Sequence, residues 1–426
     1  MRHSRDLILL SAQALKVVQE CGARLVAVAH GNGYDALGAT FSFPADPPEA
    51  AHFLPRLHVN DNMASSIPNL RTLRTGRRGH ALRGGRSGRT YDDDGEVQSI
   101  EAGRDAIIQQ TDHDASSSRM SAVALNYLDD PFARAFLSPG EQIVKRYPII
   151  NRGTYVRTKA IDKLVARFLD AHPEQRKQIV SLGAGSDTRF FRLITEQSSR
   201  STVVYHELDF EANANQKRSV LRQTSEMSEC IKKAEQQGSS YHLHAIDLRA
   251  LTNKSPPIIP DLDTTLPTLI LSECCLCYLP PDAATSVLQY FTMNLAGPLA
   301  LVLYEPVRPF DAFGKTMVTN LASRGIHLQT LKRYSSLDAQ RQRLRLAGFS
   351  DGQGARDVHQ LYEDDGWVSQ NERERIEKLE WLDEVEEWKL LASHYCVAWG
   401  WRGELFGKAW DGIDGSRTSV EDDDVG

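Results

Sequence analysis

The stretch at residues 179–188, IVSLGAGSDT, constrains the fold more than any other: an apolar run of strand length breaks into a Gly-Ala-Gly turn and then into a helix start. The downstream chain repeats the theme. Apolar runs at 178–182, 203–209, 241–247, 267–272 and 298–304 read as strands, and 188–197, 211–226, 281–295 and 311–324 carry helical periodicity. Strands that are apolar almost throughout, separated by helices, indicate a parallel sheet covered on both faces. Just upstream, IINRGTYVRTKAIDKLVARFLDAH places Tyr155, Ile161, Leu164, Val165, Phe168 and Leu169 on one face of a helix ending before Pro173. TDHDASSSRMSAVALNYLDDPFARAF before it starts with cap and turn residues, turns helical and stops at Asp-Asp-Pro. In the last third, DVHQLYED and HYCVAWGW are strand candidates for an antiparallel edge, with a charged helix from about 370 to 391 between them. Trp381, Trp388, Tyr395 and Trp399 are expected in the core, and His206, His242 and His244 in structural positions on their strands. The fold class is α/β, Rossmann-like, with a mostly parallel sheet, helices on both faces and an antiparallel edge.

Residues 1–104 have a different texture. A helix is expected over 7–29, where Lys16, Glu20 and Arg24 recur at four-residue spacing, in preference to a targeting peptide. Seven arginines without an acid fill 71–89, but no aromatic residue interleaves them for base stacking and YDDDGE follows at once. That run reads as a solvated linker with no nucleic acid as partner. The expected organisation is a largely disordered extension over 1–104, a main domain over 105–410 with helical lid insertions, and an acidic tail over 411–426. A net charge of −6 excludes a general pull toward polyanions. No window reaches the ~20 apolar residues of a membrane span. The cysteines, Cys21, Cys230, Cys274, Cys275, Cys277 and Cys396, form no disulfide framework, so a reducing, cytoplasmic setting fits. The Cys274–Cys277 cluster lacks a second ligand pair at zinc spacing and reads as strand-end packing, with no metal expected.

Ligands of open α/β sheets bind at the carboxyl ends of the strands. There, Gly183 and Gly185 let the backbone approach a ligand, but Thr188 stands where a dinucleotide fingerprint wants a third Gly. The second strand ends at Asp209, suited to both ribose hydroxyls of a nucleoside. The third ends at Asp247 and Leu248, suited to an adenine amino group and its ring. The fourth ends at Glu273, where a carboxylate could meet a cationic ligand end. Three acids at successive strand ends beside a Gly-x-Gly suit a positively charged nucleoside without a pyrophosphate. That nucleoside is S-adenosyl-L-methionine, and the fold expected is that of its methyltransferases.

The blocks SRMSAVALNYLDDPF, INRGTYVRT, IVSLGAGSDTRFFRL, YHELDF, IDLRAL, LILSECCLCYL and EWLDEVEEWKLLASHYCVAWGW together resemble the successive blocks of the leucine carboxyl methyltransferase family. The likeness covers about 105–405, and nothing before 105 takes part. It implies methylation of the C-terminal leucine carboxylate of the protein phosphatase 2A catalytic subunit by a monomer with an N-terminal helical lid. Two alternatives are a sister branch acting on a wybutosine-type tRNA base, whose kelch repeats are missing here, and a methyltransferase of small-molecule carboxylates. The resemblance implies cofactor contacts at Arg119, Arg157, Gly183, Asp209, Asp247, Leu248 and Glu273, with Arg157 and Tyr278 at the reacting centre. This chain departs from the family pattern at Arg119, where Lys is expected, and at Asn126, where Gly is.

Overall fold

The computed structural model describes residues 93–138, 140–196, 201–383, 385–410 and 412–413. The expected helix over 7–29, the arginine run and nearly all of the acidic tail lie outside them.

β1 (Lys177–Leu182) is central in a seven-stranded sheet and is buried along its whole length. Its side chains alternate between two cores. Ile179 packs with Tyr205, Leu269 and Val302 on one face, and Val180 and Leu182 with Leu208, Ile270 and Leu301 on the other. Burial on both faces is why the strands read as continuous apolar runs. β2 (Val203–Asp209), β3 (Ser240–Ala245), β4 (Thr268–Glu273) and β5 (Leu299–Pro306) run parallel to β1. β6 (Gly352–Asp357) and β7 (Tyr395–Arg402) complete the order β3-β2-β1-β4-β5-β7-β6, with β7 antiparallel to both neighbours. The expected fold class is therefore the one observed. The connections run one way from β1 to β3 and the other way from β4 to β5, so a crevice opens between the carboxyl ends of β1 and β4.

Two helices precede β1: α1 (Asp93–Ala124) and α2 (Pro148–Asp170). The face foreseen for α2 is its buried face, with Phe168 stacked on Phe406 at 4.8 Å between ring centres. After β1 come α3 (Arg189–Glu196), α4 (Glu211–Gln223), α5 (Ser225–Gln236), α6 (Pro281–Asn294), α7 (Ala312–Ala322) and α8 (Leu337–Leu346). Four short helices complete the set: α9 (Val358–Glu363), α10 (Gln370–Glu377), α11 (Val385–Ser393) and α12 (Glu404–Ala409). Among the described residues no helix is long and apolar enough to cross a membrane.

Several expectations need correction. DVHQLYED is a helix, α9: the Asp357 side chain accepts the Gln360 N–H and the Gln360 side chain accepts the Asp357 N–H, a capping box that starts a helix. The edge strand is the preceding GQGARD, whose glycines hide it from a propensity reading. Gly352 and Gly354 lie opposite Trp401 and Trp399 on β7, and a Cβ at either would run into the indole. The helix expected over 211–226 breaks at Thr224, which is extended (φ −107°, ψ 103°). The one expected over 370–391 is α10 and α11, separated where Glu380 accepts a hydrogen bond from Asn151 of α2 at 2.9 Å. Trp381 in that gap is 84% exposed, whereas Trp388, Tyr395 and Trp399 are buried as expected. The cap-rich TDHDASSS lies inside α1, where Thr111 and Ser116 donate to the carbonyls of Ile108 and His113 instead of capping a helix start. The expected domain boundary at 104/105 thus falls within α1.

His206, His242 and His244 stack on the β2–β3 edge, with His206 Nδ1 3.0 Å from His244 Nε2. Burial drives the basicity of two of these rings down, His206 to about 3 and His244 to about 4. Between the unfolded value of about 6.5 and those folded values the unfolded chain binds more protons, so stability falls as pH falls through that window. We expect each of the two to cost about 2 kcal/mol by pH 5. Thermal melts of the protein and of a His206→Gln, His244→Gln variant from pH 7.5 to 5 check this: the variant should lose less stability. An equal loss would place the acid sensitivity elsewhere.

Candidate active site

At the end of β1 the backbone turns through Gly183 (φ 62°) and Gly185 (φ 46°), left-handed conformations that favour glycine. Space demands it too. A Cβ on Gly183 would lie 2.6 Å from Cys275 Sγ, and one on Gly185 would strike the Asp112 carboxylate reaching over from α1. The Gly185 N–H donates to Asp209 Oδ2 at 2.7 Å, while Asp209 Oδ1 accepts from Phe210 N at 2.7 Å and from Asn213. Burial raises the Asp209 pKa, and the N–H donors of Gly185 and Phe210 pull it back down. Thr188, at the place of the missing third glycine, donates its hydroxyl to Asp130 at 2.5 Å. Asp130 also accepts from Arg119 at 3.1 Å, which ties the segment after α1 to the turn. Asn126, the second departure from the family pattern, has φ 62°, and Asn is among the few non-glycine residues that adopt that conformation readily.

Beneath the turn lies a charge cluster. Arg189, 1% exposed at its side chain, donates to Asp162 of α2 at 2.9 Å, to Asp187 at 2.5 Å and to Glu273 at the end of β4 at 2.7 Å. Arg192 adds two hydrogen bonds to Asp162. Burial opposes the Arg189 charge, but the surrounding carboxylates outweigh it and hold its pKa well above the ordinary arginine value. Asp162 feels the reverse: burial raises it, and Arg192 and Arg189 together hold it far below the usual carboxylate range. Glu273, at the crevice, already has two cationic neighbours: one oxygen goes to Arg189 and the other is 3.6 Å from Arg157. Arg157 itself lies 5.2 Å over the Tyr304 ring, and its Nε is buried with no hydrogen-bond partner.

The crevice is a cavity of about 330 Å³, within the range of small-molecule sites. Arg119, Arg157, Gly183, Gly185, Asp209, Asp247, Leu248, Glu273 and Tyr278 all line it, so the structure brings every site residue chosen from the sequence to one place. Asp247 is less available than expected, since both its oxygens accept from Arg249, which also reaches Asp105 of α1. Burial pushes the Tyr278 phenol well above its usual value, which keeps it a neutral hydroxyl. Cys277 is buried and Cys274 and Cys275 are half-buried; among the described residues no group of three or more His, Cys, Asp or Glu could hold a metal.

Sequence reasoning missed Asp112, Arg189, Arg249 and Tyr304. Arg189 stands inside SDTR directly after the turn, but its partners lie 27 residues before it and 84 after it, beyond any local pattern. Asp112 is hidden among residues that read as caps.

The family model for leucine carboxyl methyltransferase matches residues 107–292. Leucine carboxyl methyltransferase 1 of Emericella nidulans is 51% identical over 387 residues, covering 83% of this chain and 98% of that protein. Its namesake in Aspergillus fumigatus is 49% identical over 377 residues, covering 79% and 94%. The aligned 83% exceeds the roughly three quarters of the chain that 105–426 make up, so the likeness extends upstream of 105, contrary to expectation and in keeping with the start of α1 at Asp93. Together with the sheet and the cavity at its carboxyl edge, this identity over nearly the whole length of its relatives means that the chain is a methyltransferase and belongs to the leucine carboxyl methyltransferase family.

Proposed function

We propose that this enzyme transfers the methyl group of S-adenosyl-L-methionine to the α-carboxylate of a C-terminal leucine, that of the protein phosphatase 2A catalytic subunit, forming a methyl ester in the cytoplasm. The observation that carries the cofactor reading is the charge pattern of the cavity. Of its lining carboxylates, Asp105, Asp187, Asp247 and Glu273 are paired with arginines, which leaves Asp112 and Asp209 without a cationic partner within ion-pair distance among the described residues. Asp209 retains acceptor capacity beside the turn for ribose hydroxyls, and Leu248 offers an apolar wall for the adenine. Arg157 lines the cavity with its Nε beside Glu273, and its guanidinium is the cation placed to meet a carboxylate. These groups fit a nucleoside that carries positive charge and an amino-acid end.

When bound, the cofactor supplies a methyl group on a cationic sulfur that is open to in-line displacement. The chain's own part is modest chemically. A C-terminal carboxylate has pKa ~3.3–3.7, so it is already the nucleophile at neutral pH and needs no general base. Burying that anion is costly unless it is hydrogen-bonded. The neutral Tyr278 hydroxyl on the cavity wall holds and aims it. α1 supplies Ile108, Thr111, Ala115 and Ser118 to the same wall and keeps water from the reacting centre.

Incubating the full chain with labelled cofactor and the phosphatase core enzyme, with and without its terminal leucine, tests the acceptor. Label is expected only on the complete substrate; label persisting on the shortened one sinks this reading. Asp209→Ala should weaken cofactor binding at least ~100-fold in calorimetry, the loss of two hydrogen bonds to a charged acceptor. An unchanged affinity would remove Asp209 from the ribose site.

A further inference from the structure

Resting on the reading that the Tyr278 hydroxyl holds the acceptor carboxylate, we propose that Thr111 of α1 is the positioning residue for that hydroxyl. Both side chains are half-buried and line the cavity, Tyr278 from the short turn Leu276–Tyr278 after β4 and Thr111 from the helix. The two side chains hydrogen-bond to each other. A second bond sets the direction of the first. Thr111 Oγ1 donates its single proton to the carbonyl of Ile108 at 2.6 Å, so toward Tyr278 it accepts and the phenol donates.

The Tyr278 backbone is held from two sides. Its N–H donates to the Cys275 carbonyl at 3.1 Å, and its carbonyl accepts from the Gln329 side chain at 2.5 Å. What remains free is rotation of the phenol proton about its C–O bond, and Thr111 fixes that rotation. An arriving carboxylate is acceptor-only and needs the same proton. A hydrogen bond to an ionised acceptor is roughly twice as strong as one between neutral groups, so the proton turns from Thr111 to the carboxylate. The Thr111 proton can then follow, turning from Ile108 to the phenol oxygen. That second turn is cheap, because the Ile108 carbonyl lies inside α1 and keeps its bond in the helix ladder. The chain Thr111, Tyr278, carboxylate is then polarised in one sense, each bond strengthening the next. No proton changes owner. α1 thereby contributes to aiming the acceptor as well as to excluding water.

Thr111→Val keeps the shape and removes the hydroxyl, Thr111→Ser keeps the hydroxyl, and Tyr278→Phe removes the partner. Turnover of labelled cofactor is measured at varied concentrations of the phosphatase core enzyme for each variant and for Thr111→Val, Tyr278→Phe together, with S-adenosylmethionine affinity by calorimetry on the same samples. Thr111→Val should lower kcat/KM for the acceptor about tenfold, the loss of one hydrogen bond in the chain, with cofactor affinity unchanged. Thr111→Ser should recover most of that loss. In the Tyr278→Phe background Thr111→Val should cost nothing further, since the two act as one unit. An equal loss in both backgrounds would mean that Thr111 acts independently of Tyr278 and would overturn the proposal. Wild-type turnover in Thr111→Val, no recovery in Thr111→Ser, or a weakened cofactor affinity in Thr111→Val would overturn it as well. Wild-type turnover in Tyr278→Phe alone would instead remove Tyr278 from the acceptor carboxylate, and this inference with it.

Discussion

The site depends on one buried guanidinium. Arg189 joins three carboxylates from three parts of the chain: Asp162 on α2, Asp187 just past the β1 turn, and Glu273 at the end of β4. Breaking a buried pair by removing one partner typically costs ~3–5 kcal/mol, because an uncompensated charge is left behind. The three walls of the crevice are thereby fixed relative to one another before any ligand arrives. The same cluster decides which charges remain for a ligand. Glu273 is shared between Arg189 and Arg157, Arg157 lies over the Tyr304 ring, and Asp112 and Asp209 remain without a cationic partner among the described residues.

The Gly-Ala-Gly turn gains a more specific meaning from its surroundings. Its glycines are required because Cys275 from below and Asp112 from above come within contact of it. Thr188 at the third position is a tether: through Asp130 it shares a partner with Arg119, which joins the end of α1 to the start of α3. α1 is thus latched at Asp112–Ser186, Asp105–Arg249 and Arg119–Asp130, and each latch lies at or beside the cavity. The expectation of a helical lid becomes concrete as a helix that forms one wall of the site.

How much the sequence reveals depends on how local each signal is. The parallel strands announce themselves because burial on both faces makes each of them a continuous apolar run, and the acids at their ends can be counted off. β6 leaves no such trace. Its glycines are dictated by Trp399 and Trp401 on a strand more than forty residues later, and the D-x-x-Q capping box beside it carries apolar residues that also suit a strand. Trp381 reads as core by residue type and lies in solvent because Glu380 is drawn to Asn151. The site residues chosen from the strand ends all lie on one cavity. The pairing of Glu273 with Arg189 joins residues 84 apart and leaves no local pattern to read.

The central claim is that Arg189 organises the cofactor site without touching the cofactor. The most direct measurement is the S-adenosylmethionine affinity of Arg189→Lys, which keeps the charge but cannot reach three carboxylates with a planar fork. Circular dichroism on the same sample confirms that the sheet is intact. The account predicts a folded protein whose affinity is at least tenfold weaker, since Glu273 and Asp187 are no longer held together. A folded variant that binds with wild-type affinity would contradict it.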